Sequence, residues 1–560
     1  MYLIRRPINL LQISDSNPKS IDQYLQKILH SSERLAMEDS MSTPLAQLWL
    51  LFLAPLMLLL LHVAYGCRGS TDGKPKQLPL PPSPPGLPVL GHLLLVGDRP
   101  HISFRDLAAT TQVRGGGLVL LRLGAVRNLV VSTPRAAQAV LRTHDHAFAS
   151  RPASRLADDL VYGSSNVAFA PYGDYWRQVR KLVTTHLFTA KKVRSHRHAR
   201  QDEVRLVVAR LQEAAEVDVS ETASAFANDV VCRAVCGKFF RAEGRNKLFR
   251  ELNHTTTALL AGFNVEDYFP WLAKSLGGWF LSNKKARETH RRWDELLEDI
   301  ISDHERRRTS SKHADSDEQG GSAEDFIDVM LSVQEEYGIT RDHIKAVLMD
   351  MFEAGNATSS SVLEFAMAEL MRKPHLMAKL QTEVREKTPK GQEMVKEEDL
   401  AGMAYLKAVV KETLRLHPPA PLLVPHQSMA DCEVDGYTIP AGTRVIINSW
   451  AIGRDPGSWE EAEEFVPERF MDGGAAADVD FRGNDFQFIP FGSGRRMCPA
   501  INFGLATVSI MLANLVYCFD WELPTGMEKE DIDMTEVFGL TVHRKEKLIL
   551  VPKPYIYESY

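Results

Sequence analysis

"FIPFGSGRRMCPAINFG", residues 488–504, sets two glycines, two arginines and one cysteine, Cys498, into a short turn bounded by aromatic residues. A free cysteine is ordinarily a small buried hydrophobe with a weak donor. Around this one stand groups that favour the anion. The glycines let backbone N–H groups approach the sulfur, Arg496 two residues earlier offers a cation, and Phe491 closes the apolar side. A thiolate in an apolar setting needs such donors or positive charge to stay ionised. So held, it can serve as an axial ligand to iron and favours cleavage of a bound O–O bond.

The rest of the chain sets the scale. It has 560 residues, 44% hydrophobic and 25% charged, an ordinary globular composition with apolar content for a large core. The plain composition breaks fall near the start and around residue 310, so one large catalytic domain is expected. A net charge of -6 with both signs interspersed offers no basic field for nucleic acid. Six cysteines in this length make no disulfide framework, and Cys232 and Cys236, one helical turn apart, have no second ligand pair nearby.

Residues 45–65, "LAQLWLLFLAPLMLLLLHVAY", hold no charge and have the length of a membrane-crossing helix. No cleavage site of the Ala-x-Ala type follows, so the segment reads as a retained anchor rather than a signal peptide. Arg68, Lys74 and Lys76 behind it place the C-terminal bulk in the cytosol. Residues 1–40, basic and without periodicity, read as an upstream or disordered extension, with translation beginning at Met37 or Met41. Residues 66–92, with "LPLPPSPPGLPVLGHL", read as a stiff proline-rich hinge, and 93–560 as the catalytic domain.

Helical periodicity dominates from 101 to 470, as in "HIKAVLMDMFEAG" and "SSSVLEFAMAELMRKP", the second stopped by Pro374. "GLVLLRLGAVRNLVVS" predicts a hairpin, and "CEVDGYTIPAGTRVIINSW" another, with turns at Asp435-Gly436 and Ala441-Gly442. The polar stretch around residue 310 predicts a surface connection. The fold class is mainly α with small β-sheets.

Three further motifs stand with the cysteine turn. In "KETLRLHPP", Glu412 and Arg415 are an i, i+3 pair on one helix face. "FVPERF" offers Arg469 after a proline stop. In "YGDYWRQVRKL", Trp176 and Arg180 lie one turn apart and together could bind a carboxylate, the arginine by a charge-assisted bond and the indole by its N–H. Taken singly, the first reads as a surface ion pair and the last as packing.

Phe491-x-x-Gly494-x-Arg496-x-Cys498, Glu412-x-x-Arg415, Pro467-Glu468-Arg469-Phe470 and Trp176-x-x-x-Arg180, with the anchor and hinge, come in the order seen in cytochrome P-450 haem-thiolate monooxygenases. The resemblance covers about residues 45–555. The proline hinge, "PERF" and "RRMCP" are most similar to plant microsomal members, and "KETLRLHPPAPLLVPH" with "INFGLATVSIMLANLVYCFDW" resembles the grass indole and indolinone monooxygenases of benzoxazinoid synthesis. The resemblance implies the cytochrome P-450 fold behind an N-terminal transmembrane helix. It implies a haem b whose iron takes the Cys498 thiolate, with Arg496, Trp176, Arg180, Phe491 and Gly494 holding the cofactor. Glu412, Arg415 and Arg469 become a buried structural network, and Thr358 the catalytic alcohol. Substrate contacts are expected from the 153–170 loop, Ala354, Ala357, Leu422, Val424, Leu540 and Thr541.

No Gly-x-Gly-x-x-Gly stands between a strand and a helix, so electrons must come from outside the chain. The resemblance implies an NADPH-cytochrome reductase, an FMN/FAD flavoprotein docking near Arg177, Lys181, Lys191 and Lys192. It also implies a single-pass place in the endoplasmic reticulum membrane, in contact with lipid, the catalytic domain cytosolic. The expected reaction hydroxylates a small lipophilic substrate, indole-derived by the narrower likeness, using O2.

Two positions depart from the family pattern. Ala357 stands where an acid usually precedes Thr358, and Ala500 where glycine usually follows Cys-Pro. Waters held by Thr358 and Asn356 could replace the acid, the enzyme could be slow or poorly coupled, or it could rearrange an already oxygenated substrate. The rivals to a monooxygenase are therefore a haem-thiolate isomerase or dehydratase, and a haem-binding membrane protein without turnover. A methyl at Ala500 is tolerable where φ is negative.

Overall fold

A computed structural model describes residues 78–111, 116–237, 244–262, 264–271, 284–311 and 324–555. The expected extension at 1–40, the anchor at 45–65, the start of the hinge and most of the polar connection lie outside them. From residue 79 the expected hinge is paired with the body rather than standing off it. Pro82 O accepts Leu120 N–H at 2.9 Å and Pro79 O accepts Thr438 N–H at 2.9 Å. Gly91, at φ +61°, lies so close to the next layer that a Cβ would meet Arg122 O at 2.0 Å.

The first predicted hairpin forms as β1, Leu118–Leu123, and β2, Val126–Val131, antiparallel with Leu123 opposite Val126. Its residues are Val- and Leu-rich and nearly all buried, which a sheet covered on both faces requires. The second region divides. Cys432–Val434 pairs with Tyr437–Ile439 across Asp435 and Gly436, both at positive φ, as a tight hairpin needs. The strand after Ala441-Gly442 leaves that hairpin. The four-stranded sheet is completed by β3, His426–Gln427, and β4, Arg444–Ile447, in the order β1-β2-β4-β3, with β4 parallel to β2.

Six helices position the site. They are α1 (Asp174–Leu182), α2 (Arg197–Gln212), α3 (Val219–Cys236), α4 (Arg341–Arg372), α5 (Ala404–Leu416) and α6 (Ile501–Cys518). The two helical segments read from the sequence are one 32-residue helix, α4, begun by a Thr340 capping box and ended before Pro374. Pro374 opens the next helix at its first turn, where a missing N–H does no harm. Buried on most sides, α4 packs against α3, α5 and α6, and with them forms the largest apolar core. Helix α6 is apolar all round because it too is buried in that core.

Candidate active site

Helix α6 begins just after the cysteine turn, and the turn delivers Cys498 to an apolar cavity of about 280 Å³. Phe491 O accepts the Cys498 N–H at 3.0 Å, closing the loop on itself. Phe491 and Gly492 line the cavity beside the thiol. Gly494, expected to hold the cofactor, does not line it. At φ +69°, it lets the loop dock where a Cβ would lie 2.4 Å from Leu141 O. Ala500 has φ −100°, so its methyl is accommodated without strain.

Burial pushes the Cys498 thiol up, opposed by the Ala500 N–H and the Arg180 guanidinium. Arg180, not Arg496, is thus the cation acting on the sulfur. Arg496 is spent on backbone: Nε donates to Ala149 O at 2.7 Å, and its Nη atoms to Ala170 O at 2.6 Å and Val167 O at 3.3 Å. It also lies 4.1 Å over the Trp176 ring. The Trp176 indole N–H donates to Val167 O at 3.1 Å.

Arg151 and His426 are wall residues that the sequence reading passed over, and Arg151 completes a positively charged rim. Both line the cavity with Arg180 and Arg496. Arg151 donates to Ala168 O at 2.9 Å, Val424 O at 2.7 Å and Pro425 O at 3.0 Å. Arg180 donates to Met497 O at 2.6 Å. Burial, then mutual repulsion, lowers these arginines, Arg496 to about 9; burial lowers Arg180. Burial and then Arg151 drop His426 to about 3, so it is neutral, with Nδ1–H donating to Phe148 O at 2.8 Å.

None of the three arginines has a carboxylate partner among the described residues. Buried charge without a counter-charge is strongly disfavoured. A donor set of one thiol and three guanidiniums without counter-charge on an apolar cavity fits a haem: Cys498 would hold its iron, and Arg151, Arg180 and Arg496 would neutralise its propionates.

The opposite wall comes from α4, where Asp350, Ala354, Thr358 and Val362 recur every four residues along the cavity, as a helix stripe must. Thr358 Oγ1 donates to Ala354 O at 2.6 Å, leaving its lone pairs to the cavity. Ala357 falls off the stripe and does not line the cavity. Asn356 is buried and does not line the cavity. Of the other expected substrate contacts, Val424 lines the cavity but Leu422, Leu540 and Thr541 do not. Leu422 packs instead on the cluster around Phe104, Leu121 and Ile446. The segment after Thr541 is tied away by Val542, whose N–H donates to Pro419 O at 2.9 Å and whose carbonyl accepts Ser361 Oγ at 2.8 Å. Leu423, at a strained φ of +50°, is the leucine that faces inward.

Behind the cavity lies the network of α5. Arg415 grips Glu412 with two bonds of 2.8 Å and donates to Gly453 O, Ala462 O and Glu464 O at 2.6–2.7 Å. Arg469 Nε reaches Glu412 Oε1 at 3.1 Å, and Val466 N–H donates to the same oxygen at 2.7 Å. Both members of the Glu412–Arg415 pair are fully buried, so it is not the exposed contact that spacing alone suggested. On α1, Trp176 and Val179 face inward while Arg177 and Lys181 are exposed; Arg177 pairs with Asp174 and Lys192 donates to Glu324 O.

The cytochrome P-450 family profile matches residues 81–551. The chain is 57% identical to indole-2-monooxygenase of Zea mays over 85% of this chain and 88% of that protein. It is 52% identical to 3-hydroxyindolin-2-one monooxygenase of Zea mays, over 90% of this chain and 94% of that protein. A zebra fish cytochrome P-450 structure with abiraterone superposes with a TM-score of 0.67 at 25% identity, covering 82% of this chain and all of that one.

Proposed function

The chain belongs to the cytochrome P-450 family, and from that premise we propose that it hydroxylates a small, apolar, indole-type plant metabolite. It is a haem-thiolate monooxygenase that takes electrons from NADPH through a reductase. When bound, the haem supplies activation of O2 and insertion of one oxygen atom into a C–H bond. The observation that carries the reading is the placement of Cys498 and Thr358 on one small cavity with mainly apolar walls. Apolar side chains such as Phe188, Val362 and Leu423 on its wall suit a small lipophilic substrate. The identities to indole and indolinone monooxygenases support that substrate class.

Within this reading the chain's own residues divide the work. Cys498 holds the iron, and Arg151, Arg180 and Arg496 neutralise the propionates. Thr358 holds a proton for delivery, its hydroxyl oriented by Ala354 O. Leu423, Val424 and Phe188 exclude water around the substrate. The exposed basic side chains Arg177 and Lys181 of α1, with Lys191, receive the reductase; such rim charges act mainly on association rate. An endoplasmic reticulum anchor at 45–65 with a cytosolic catalytic domain is supported by its uncharged length and the cations behind it.

The test is turnover of indole and indolin-2-one by membranes carrying the protein, with and without NADPH and a plant flavoprotein reductase. Hydroxylated product that requires both is expected. Product formed without reductase would overturn the monooxygenase reading, and turnover of neither compound would overturn the substrate class. Protease digestion of sealed microsomes should remove the catalytic domain; protection of it would reverse the proposed topology.

A further inference from the structure

Among the described residues Asp350 is the one carboxylate on the cavity wall, and the catalytic reading gives it no task. It is fully engaged by one short segment. Asn166 Nδ2 donates to Oδ1 at 2.6 Å, and the N–H groups of Val167 and Ala168 donate to Oδ2 at 2.7 and 3.3 Å. Val167 and Ala168 themselves line the cavity. Their carbonyls turn the other way: Val167 O accepts from Trp176 and Arg496, and Ala168 O from Arg151. Asn166 also closes the segment locally, its Oδ1 accepting Phe169 N–H at 3.1 Å.

The segment is therefore strung between an anion on α4 and the cations of the rim, N–H groups to one and carbonyls to the other. Without the carboxylate, two buried N–H donors and an amide lose their acceptor, while the carbonyl side stays held. A buried donor left unpaired is disfavoured by about 1–3 kcal/mol, so the segment would move rather than leave them unpaired. Only the wall, not the thiol turn, would follow.

We propose that Asp350 is a positioning residue for substrate, a latch whose carboxylate fixes Asn166, Val167 and Ala168 as one wall of the cavity. The proposal rests on the reading that this cavity receives the substrate. Binding then depends on Asp350 although Asp350 need not touch the ligand.

The test uses the haem-loaded full chain, with indole as the probe. In Asp350→Asn, hydrogen exchange at the Val167 and Ala168 amides should rise, and the dissociation constant from the indole-induced absorbance change should rise about tenfold, the equivalent of one lost buried acceptor. Turnover should show a raised KM with kcat little changed. Haem content and the thiolate-type carbon monoxide spectrum should stay as in the parent. Asn166→Ala approaches the latch from the loop and should give a smaller loosening of the same two amides, with the double variant no worse than Asp350→Asn alone. Parent-like exchange and indole affinity in Asp350→Asn overturn the proposal, as does loss of the thiolate spectrum, which would make Asp350 part of the general fold. Should Asp350→Asn fail to fold, unchanged exchange in Asn166→Ala overturns it equally. If the parent shows no indole-induced change, the substrate reading falls, and amide exchange alone decides the latch.

Discussion

Two groups of arginines, each buried or half-buried, are built on opposite plans. Arg415 and Arg469 meet a carboxylate, Glu412, and spend their remaining donors on loop carbonyls. Arg151, Arg180 and Arg496 meet carbonyl oxygens alone. The first group is electrically closed once the chain folds. The second carries net positive charge into an apolar cavity and closes only when a dianionic ligand arrives. Burial of arginine by itself therefore does not separate a structural cluster from a binding one; the presence of a counter-charge does.

The largest test of this contrast is Glu412→Ala, which leaves two buried guanidiniums without a partner. A loss of about 3–5 kcal/mol is expected, visible as a lowered unfolding midpoint and as protein that does not retain haem. A fully loaded variant with parental stability would show the closed cluster to be dispensable. Next is Cys498→Ser, in which the thiolate-type Soret position of the reduced carbon monoxide complex should vanish. The haem-free protein should unfold within about 1 kcal/mol of the parent, because no buried charge loses a partner. Retention of that spectrum would remove Cys498 as the iron ligand.

Arg151→Gln sharpens the comparison from the open side. Haem affinity should fall by at least about tenfold, the loss of a charge-assisted bond, with little change in the stability of the haem-free protein. A drop in haem-free stability as large as that of Glu412→Ala would erase the distinction between the two groups.

The smallest effect concerns pH. Asp350 and Glu353 are the acidic counterpart of the open cluster, buried carboxyls with no cation beside them. Burial raises Asp350 to about 7; burial and then the Asp350 charge raise Glu353 to about 8. A carboxyl raised in the folded state binds its proton more tightly there than in the unfolded chain. Its contribution is thus complete below the unfolded pKa and is lost as pH rises through the folded one. Glu353→Gln should flatten the decline in stability between about pH 4.5 and about pH 8 in urea titrations. A parental pH profile in the variant would mean that Glu353 is not raised.

What could be read from the sequence was chemistry carried by near neighbours. The turn around Cys498, the Glu412–Arg415 spacing, the Trp176–Arg180 spacing and the first hairpin are each set within a few residues, where helix and strand periods apply directly. The sequence also showed the helical segments on either side of Thr358, though the family resemblance and not periodicity gave Thr358 its role. Spacing alone did not indicate which side chains share the cavity. Arg151 and His426 each sit beside a proline and were given no role by spacing or motif, and the fold alone brings them to the rim. The pairing of β4 with β2, Asn128 opposite Arg444, is likewise a choice of distant partner. Leu423 rather than Leu422 faces inward because one residue takes a positive φ. Whether a buried cation is neutralised, and by what, depends on groups that meet only when the chain closes. The sequence therefore determined the reactive turn and its helices, and the tertiary structure decided which charges were left for a ligand to complete.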